Sequence, residues 1–390
     1  MTEVLYSALE EDGPARSNMR TPCKWHIPCI AVICLTTFVS ITYYLHSDPY
    51  YFESHPNRIA PSTRSLLNRI AAANWTDEIP TKMIFATHRL TESENNVFFI
   101  ETSCAKDSEK FVPGGLVLTP PQACAIYSTA YHNPFKQVFL IYTCPLSNNF
   151  YSKSSGVTKA LFDLPNFSVV QANLTYIYSK SPLSTLDGAL QKSQYPVEHN
   201  ADILRILLVY LFGGTYMDLD VVSTKPLDDL GVNYIGAQQE DQLGTGVFNF
   251  KAHHPYLKEI LEETNRAYDP NAWAAAGPVL ATSVLRKVCN LTSTNLEIIG
   301  HIPYCGITVW GYKVFYPIRY WDWALYWHGN WPLVEPMLNE TYVVHVWNHM
   351  KSVSSSDNVI KVGSEQPYAK LAEQNCIPVY TGSGTTFRRR

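Results

Sequence analysis

The sequence predicts an α/β fold whose sheet contains parallel strands, preceded by a single transmembrane helix. Three observations lead to this prediction. Apolar stretches that read as short strands alternate with helical stretches between residues 82 and 212, which is typical of sheets with parallel members. Hydrophobic residues make up 46% of the 390 residues, enough for a sizeable core. One stretch near the N-terminus, residues 25–45, contains no Asp, Glu, Lys or Arg.

Residues 25–45 are long enough, at about 1.5 Å per helical residue, to cross a bilayer. Arg16, Arg20 and Lys24 precede this stretch, and positive charge on that side predicts a cytosolic N-terminus. We therefore expect a cytosolic tail (1–24), an uncleaved signal anchor (25–45) and a lumenal remainder. A cleaved signal peptide is the alternative, disfavoured by the long charged lead and the lack of a clean cleavage site.

The part beyond the anchor has the composition of a lumenal protein. Residues 46–79 predict a stem, 80–380 a catalytic domain and 381–390 a disordered tail. Five Asn-x-Ser/Thr glycosylation acceptors follow the anchor, at Asn74, Asn166, Asn173, Asn290 and Asn339. Six cysteines could form up to three disulfide bonds, whose pairing stays open: Cys104, Cys124, Cys144, Cys289, Cys305 and Cys376.

Individual elements can be read from the lumenal part in order. The stretches "KMIFAT", "NNVFFIETS", "KQVFLIYTC" and "FSVVQANL" predict buried strands, and "PPQACAIYSTAYHNP" predicts a helix. A longer helix is predicted from an N-cap at Asn200 to the pair Gly213-Gly214. Because this helix is apolar on nearly every side, we expect it to be buried. Its Asp202 and Arg205 share one face of the first turn, where a purely structural ion pair is the simplest interpretation.

The stretch "LFGGTYMDLDVV" places two carboxylates, Asp218 and Asp220, on a predicted strand directly after the glycine pair. In a strand of period two, Tyr216, Asp218, Asp220 and Val222 would share one face. Two buried carboxylates would repel each other, and a divalent cation with oxygen ligands would relieve that repulsion. The alternatives are a solvent-exposed acidic pair and the D-x-D-x-(T/V) motif of haloacid-dehalogenase phosphatases, although the glycine pair interrupts the strand that such a phosphatase requires.

The block "ADILRILLVYLFGGTYMDLDVV" resembles the D-x-x-R and G-G-x-Y-x-D-x-D pattern of sugar-nucleotide glycosyltransferases. It is most similar to the family of lactosylceramide 4-alpha-galactosyltransferase and alpha-1,4-N-acetylglucosaminyltransferase. The looser stretches "GPVLATSVL", "FYPIRYW" and "YVVHVWNHMKS" extend the resemblance over about residues 80 to 350. The resemblance implies a glycosyltransferase A fold with a Rossmann-like mixed sheet, in which a D-x-D motif holds Mn²⁺, or another divalent cation, on the donor diphosphate.

The same resemblance implies roles for single residues. Asp218 and Asp220 match the two metal-binding carboxylates, and His345 is a candidate third ligand, with a core histidine as the alternative. Asp202 and Arg205 match residues that hold the donor sugar and ribose. Tyr216 and Asp218 would line the donor pocket.

The resemblance further implies a retaining reaction. Retention requires either a carboxylate nucleophile or same-face attack through an oxocarbenium-like ion pair. Glu240 and Asp241 are the candidate catalytic carboxylates. The neighbouring Thr245-Gly246 departs from the Asn-Gly pattern of the family, and it leaves the nucleophile open.

The expected function is therefore a Golgi type II membrane glycosyltransferase. It would transfer galactose or N-acetylgalactosamine from a UDP-sugar in alpha-1,4 linkage to the terminal sugar of a glycosphingolipid or related glycan. Aromatic side chains suit sugar rings, and one stretch holds four tryptophans that are acceptor candidates or core residues: Trp321, Trp323, Trp327 and Trp331. A net charge of −4 gives no basis for nucleic-acid binding. A catalytically silent lumenal glycan-binding protein is the alternative outside the enzymes.

Overall fold

A computed structural model describes most of the chain from residue 84 onward, all within one compact unit, Ala60–Arg390. The described residues are 84–86, 90–102, 114–144, 146–147, 149–172, 174–179, 181, 183, 190, 192–271, 277–348 and 359–387. In this part of the chain, we find no helix with the length and apolar character needed to cross a bilayer. The predicted cytosolic tail (1–24), anchor (25–45) and stem (46–79) lie outside the described residues.

A nine-stranded mixed sheet forms the centre of the described fold. The strands of the described residues are β1 Ile84–Ala86, β2 Asn96–Glu101, β3 Gln137–Tyr142, β4 Phe167–Gln171, β5 Gly214–Met217, β6 Val221–Ser223, β7 Tyr234–Gln239, β8 Gln242–Phe250, β9 Gly300–Ile302, β10 Ile307–Trp310, β11 Val343–His345, β12 Ile360–Lys361 and β13 Thr386–Phe387. The strand order in the large sheet is β1-β4-β3-β2-β5-β8-β7-β10-β9. Strands β6 and β11 form a separate antiparallel pair, and so do β12 and β13. The strands predicted from residues 82 to 174 are confirmed.

One half of the large sheet is parallel and the other is largely antiparallel. Strands β1, β4, β3, β2 and β5 run parallel, whereas β8 is antiparallel to both β5 and β7. Strands β2 and β3 are buried on both faces almost throughout, as their continuous apolar sequences require. The chain passes from β2 to β3 and β4 on one side, and later returns to place β5 on the other side of β2. This reversal creates a crevice at the carboxyl ends of β2 and β5, where ligands of open α/β sheets bind.

Helices cover both faces of the sheet. They are α1 Pro120–His132, α2 Phe150–Lys153, α3 Gly156–Lys159, α4 Leu174–Ser179, α5 Pro196–Phe212, α6 Pro255–Ala267, α7 Pro278–Val288, α8 Leu325–His328, α9 Trp331–Val334, α10 Pro367–Asn375 and α11 Ile377–Gly382. In β2, Val97 and Phe99 enter one core cluster together with α1, whereas Phe98 and Ile100 enter a second cluster with α5. The alternation of a strand's side chains therefore produces one core on each face.

Helix α5 contains Asp202 and Arg205 and leads directly into the predicted metal-binding stretch. It is buried along most of its length, as predicted, but it begins at Pro196, four residues before the predicted N-cap. Asn200 lies inside the helix instead, where its side chain donates to the carbonyl of Pro196 (2.7 Å) and accepts from the hydroxyl of Tyr178 (3.0 Å). A proline is favoured at the first helical position, because its φ is already helical and its missing N–H is one that the helix would leave unsatisfied.

The helix ends where the sequence predicts, at Gly213-Gly214. Gly213 has a φ of +65° and its N–H bonds to the carbonyl of Val209, which closes the helix. Gly214 has a φ of +101° and passes so close to β2 that a Cβ atom would overlap the carbonyl oxygen of Asn96. Only glycine combines this backbone conformation with this approach. The pair therefore brings β5 directly beside β2 and fixes the direction in which Asp218 follows.

Two disulfide bonds have both cysteines in the described residues, namely Cys124–Cys376 and Cys289–Cys305. The first joins α1 to the start of α11 across 252 residues and so ties the C-terminal helices to the parallel half of the sheet. Cys144 is disulfide-bonded as well.

The predicted disordered tail, 381–390, is ordered as far as it is described. Thr381 and Gly382 complete α11, and Thr386–Phe387 pairs with Ile360–Lys361. The side chain of Phe387 is buried, and its ring lies 5.5 Å from that of Tyr368. The prediction of disorder relied on the polar composition of the segment and overlooked Phe387, its one large apolar residue.

One predicted glycosylation acceptor, Asn166, is buried in the fold. Its side chain is 2% exposed, and its Nδ2 donates to the carbonyls of Ala130, Asn133 and Lys136 at 2.9 to 3.1 Å. An amide nitrogen engaged in this way has no access to a transferase. Asn290 and Asn339, in contrast, are exposed.

We therefore predict no glycan on Asn166 when the protein is produced through a secretory route. Glycopeptide mass spectrometry should find this site empty. Asn166→Asp should lower the free energy of unfolding by about 2 kcal/mol, because buried carbonyls lose their donor, whereas Asn339→Asp at an exposed acceptor should leave it unchanged. A glycan on Asn166 of the folded protein would contradict this placement.

Candidate active site

The predicted metal-binding carboxylates lie at the carboxyl end of β5, beside the end of β2. Asp218 directly follows β5, and its backbone N–H donates to the carbonyl of Gly246 on β8 (2.8 Å). Asp220 directly precedes β6. The carboxylates therefore lie in the crevice that the reversal of strand order creates.

The two carboxylates do not share a single strand, contrary to the alternation predicted from the sequence. β5 ends at Met217 and β6 begins at Val221, so Asp218-Leu219-Asp220 forms the bend between two strands of different sheets. Asp is disfavoured within strands, and a bend accommodates it better. The side chains nevertheless converge, because β6 pairs with β11 and places His345 opposite Val221.

Asp218, Asp220 and His345 form a group that could hold a metal ion. The Nε2 atom of His345 lies 3.4 Å from Oδ2 of Asp218 and 3.2 Å from Oδ1 of Asp220. One ligand atom from each residue lies within 4.8 Å of the others. Two carboxylate oxygens and one imidazole nitrogen suit Mn²⁺ or a similar divalent ion. The residues present therefore fit the ion that the resemblance implies, and three protein ligands leave positions for substrate oxygens.

The outer atoms of these three side chains are held by backbone and side-chain donors. The backbone N–H of Asn348 donates to Oδ2 of Asp220 (2.9 Å), and that of Trp347 donates to Nδ1 of His345 (3.3 Å). The hydroxyl of Tyr216 donates to Oδ1 of Asp218 (2.6 Å). Such contacts orient metal ligands before the ion arrives. They leave Oδ1 of Asp220, Oδ2 of Asp218 and Nε2 of His345 facing one another.

Arg205 connects helix α5 to the carboxylate site. Its guanidinium contacts Oδ1 of Asp202 (2.9 Å) and Oδ1 of Asp218 (3.1 Å), and it donates to the carbonyl of Thr245 (3.1 Å). It also lies over the ring of Tyr216, 4.9 Å from the centroid. The ion pair within the helix exists, as the structural interpretation expected. The same arginine additionally reaches the D-x-D bend, so Asp202, Arg205, Tyr216 and Asp218 form one connected wall.

The charges of this wall set the protonation of the site. Burial alone would raise the pKa of Asp218, but the Arg205 guanidinium and the hydrogen bonds from His345 and Tyr216 lower it to about 2. Burial raises the pKa of Asp202, and Arg205 offsets only part of that effect. Burial would lower the pKa of His345, but Asp220 and Asp218 outweigh it, so this pKa is raised. Asp218 is therefore ionised, and His345 retains its proton to a higher pH than a free histidine.

The raised pKa of His345 predicts that metal affinity depends on pH. A divalent ion that binds Nε2 must displace the proton that the two carboxylates stabilise, whereas Asp218 has no proton to lose above about pH 4. Affinity for Mn²⁺, measured by titration calorimetry, should therefore fall as the pH decreases from about 8 to about 6. His345→Asn should bind the ion more weakly and show a flatter profile. Equal slopes for the two proteins would exclude Nε2 as a ligand.

The two candidate catalytic carboxylates, Glu240 and Asp241, lie away from this group. They form the exposed turn between β7 and β8, where the side chain of Asp241 accepts from Gln239 (2.8 Å). Asp218 meets β8 at Gly246, which is five positions along the chain from Asp241, roughly 15 Å of extended strand. The fold brings Asp202, Arg205, Tyr216, Asp218, Asp220 and His345 together, but not Glu240 or Asp241.

Three site residues were not singled out as functional from the sequence: Gly246, Trp347 and Asn348. A Cβ on Gly246 would lie 2.8 Å from Oδ2 of Asp218 and 2.9 Å from the ring of His345. Trp347 and Asn348 lie two and three residues after His345 in the quoted stretch "YVVHVWNHMKS" and supply backbone donors to the ligands. Their proximity to a candidate ligand was the available signal.

Comparison with known proteins identifies the family. Residues 121–240 match the "Glycosyltransferase sugar-binding region containing DXD motif", and residues 249–382 match the "Alpha 1,4-glycosyltransferase conserved region". Lactosylceramide 4-alpha-galactosyltransferase of Pongo pygmaeus is 31% identical over 188 residues, which are 47% of this chain and 84% of that sequence. The chain belongs to this alpha-1,4-glycosyltransferase family. The resemblance read from the sequence is therefore confirmed.

Other relatives match this chain over only part of its length or at low identity. Human alpha-1,4-N-acetylglucosaminyltransferase is 32% identical over 181 residues, but the match spans only 51% of its length and 46% of this chain. Human lactosylceramide 4-alpha-galactosyltransferase is 29% identical over 258 residues, 65% of this chain and 68% of that one. Among solved structures, mouse xyloside xylosyltransferase 1 aligns with a TM-score of 0.36 at 14% identity, covering 66% of this chain and 99% of that chain. The family membership rests on the sequence matches.

Proposed function

We propose that this alpha-1,4-family member is a retaining glycosyltransferase that uses a UDP-sugar donor. It transfers galactose or N-acetylgalactosamine to the terminal sugar of a glycosphingolipid or related glycan. The observation that carries the proposal is the convergence of Asp218, Asp220 and His345 beside Arg205 in the crevice of the sheet. The names of the galactosyltransferase relatives support galactose, and the acetylglucosaminyl relative makes UDP-N-acetylglucosamine a required comparison.

The residues of the site divide the work of such a reaction. Asp218, Asp220 and His345 would hold a divalent ion, which supplies a Lewis acid for the charge that develops on the leaving diphosphate. Arg205 contacts Oδ1 of Asp218, so that Oδ2 of the same carboxylate faces His345. Asp202 and Arg205 on the same wall would orient hydroxyls of the donor through charge-assisted hydrogen bonds.

For the stereochemistry, we favour same-face attack through an oxocarbenium-like ion pair. Glu240 and Asp241 are exposed at a hairpin tip, roughly 15 Å along β8 from the D-x-D bend. Neither carboxylate is therefore close enough to the site to act as the nucleophile. The phosphatase alternative requires a lysine beside the first aspartate. The cation beside Asp218 is Arg205 from α5.

We further propose a Golgi location as a single-pass type II membrane protein, with the catalytic part in the lumen. The apolar stretch 25–45 and the basic residues before it support this orientation. A Golgi lumen would supply both the sugar nucleotides and the membrane-borne acceptors that the proposed reaction uses.

A donor and acceptor panel tests the proposal. Purified protein with Mn²⁺ is offered UDP-galactose, UDP-N-acetylgalactosamine and UDP-N-acetylglucosamine, each with lactosylceramide and other glycosylceramides, and products are read by mass spectrometry. We expect one donor to give an added hexose or N-acetylhexosamine only when the divalent ion is present. UDP binding without any product across the panel would favour a silent glycan-binding protein, and phosphate release without sugar transfer would favour a phosphatase.

A further inference from the structure

A row of three aromatic rings extends from the candidate metal group toward solvent. The ring centroids are separated by 4.4 Å between His345 and Trp347, by 6.2 Å between Trp347 and Tyr320, and by 4.9 Å between Tyr320 and Trp321. Exposure increases outward: Trp347 is partly buried, Tyr320 is 37% exposed and Trp321 is 55% exposed. We call Trp347, Tyr320 and Trp321 the aromatic row. Its inner end lies at the site and its outer end at the surface.

The inner ring is held in a strained backbone conformation. Trp347 has a φ of +55°, which is rare for a bulky side chain and clusters at functional sites. Its indole Nε1–H donates to the carbonyl of Ile318 (2.7 Å), and its ring stacks on Tyr316 at 5.5 Å. These contacts fix the orientation of the ring. The fold therefore maintains strain in order to present this indole beside His345.

The outer rings are not required by the core. Among the four tryptophans that the sequence offered as acceptor candidates, Trp327 is fully buried, and Trp323 and Trp331 pack against the core. Trp321 alone of these four is mostly exposed. Its partner Arg319 lies 5.7 Å from the Trp321 ring and is anchored by Glu297 (2.5 Å). A half-exposed indole held beside a site offers an apolar face on which a ligand ring can stack.

We propose that the aromatic row is the acceptor subsite and binds an oligosaccharide through at least two successive pyranose rings. This inference rests on the proposed function. The attacking sugar must lie within reach of the donor's reacting carbon, so its place is against Trp347, next to the metal group. The preceding sugar then lies against Tyr320 and Trp321, whose rings offer apolar faces with polar edges to the C–H faces of a pyranose.

In this placement, the outer rings determine how strongly the protein prefers longer acceptors over a single sugar. A monosaccharide glycoside can use Trp347 alone, whereas a disaccharide also covers Tyr320 and Trp321. In the described part of the chain, neither outer residue has a hydrogen bond, ion pair or ring contact with Asp218, Asp220, His345 or Arg205. Loss of an outer ring should consequently weaken the binding of long acceptors and leave the donor and the ion unaffected.

The test compares Trp321→Ala with Tyr304→Ala, a control that removes an aromatic side chain 64% exposed elsewhere on the surface. The acceptors are the best glycan of the panel, as a soluble methyl glycoside, and the methyl glycoside of its terminal sugar alone. Trp321→Ala should raise KM about tenfold for the longer acceptor and leave KM for the monosaccharide, kcat and UDP affinity unchanged. Saturation-transfer NMR should show lost contacts to the penultimate sugar. Tyr304→Ala should match the wild type.

The outcomes separate this inference from the proposed function. If Trp321→Ala leaves KM for the longer acceptor within twofold of the wild type, or raises KM for both acceptors equally, the subsite is overturned and the transferase proposal is not. If the wild type uses no acceptor of the panel, the proposed function fails and the subsite falls with it. Trp347→Phe, which keeps an aromatic face, should retain monosaccharide transfer and the NMR contacts to the terminal sugar, whereas unchanged contacts to that sugar in Trp347→Ala would also count against the row.

Discussion

An Asp220→Asn variant should lose metal-dependent UDP binding and almost all sugar transfer. The substitution keeps the size of the side chain, and an amide oxygen can still accept from the N–H of Asn348. It removes the negative charge that faces His345 at 3.2 Å and would face the ion. We expect kcat/KM to fall by about 10³-fold. Steady-state kinetics with Mn²⁺ and calorimetry of UDP binding would measure the loss.

The control for this variant is Asp229→Asn. Asp229 is an exposed carboxylate whose side chain has one long contact, 3.5 Å from the hydroxyl of Tyr342. Its loss changes net charge by the same amount without touching the site, so activity and metal dependence should equal those of the wild type. Wild-type turnover in Asp220→Asn, with full dependence on the divalent ion, would remove the aspartate from the ligand set.

A Gly246→Ala variant should damage the site through sterics alone. The added Cβ would lie 2.8 Å from Oδ2 of Asp218 and 2.9 Å from Cδ2 of His345, closer than real Cβ contacts allow. Neither side chain can rotate away freely, because Arg205 and Tyr216 hold Asp218 and the His345 ring packs on Trp347. The ligand atoms must therefore move apart. Displacement by a fraction of an ångström to about 1 Å should lower kcat/KM by about 10²-fold.

Gly156→Ala is the matched control, because no atom lies within 4 Å of the Cβ that would be added at Gly156. Both variants add one methyl group, to the buried Gly246 and to the exposed Gly156. Only Gly246→Ala should weaken Mn²⁺ binding, and its melting temperature should fall less than its activity. If Gly246→Ala binds Mn²⁺ and UDP as tightly as the wild type, the contact between β8 and the D-x-D bend does not shape the site.

Local sequence was sufficient for the elements that depend on local physics. The strands around Phe98 and Val138 and the end of α5 at Gly213 follow from apolar runs and from the backbone freedom of glycine. The start of α5 was misplaced, because Pro196 at the first helical position and Asn200 four residues later are both plausible starts. Period-two alternation also could not distinguish a strand through Asp218 and Asp220 from a bend between two strands.

The non-local parts of the site were predicted less completely. The pairing of β6 with β11 joins Val221 to His345 across more than a hundred residues, and only the resemblance to known transferases suggested that histidine. Glu240 and Asp241 were assigned by closeness in sequence, but the β7–β8 hairpin carries them to its exposed tip. Composition likewise could not tell that Trp327 is core and Trp321 is surface, since burial depends on tertiary packing.

The most direct measurement is electron–nuclear double resonance of Mn²⁺ bound to the purified protein with UDP. If Asp218, Asp220 and His345 hold the ion on the donor diphosphate, the spectrum should contain a ¹⁴N coupling from one histidine and a ³¹P coupling from UDP in the same complex. The ¹⁴N coupling should disappear in His345→Asn. Bound Mn²⁺ that shows the ³¹P coupling but no histidine nitrogen, or an unchanged ¹⁴N coupling in His345→Asn, would contradict the site described here.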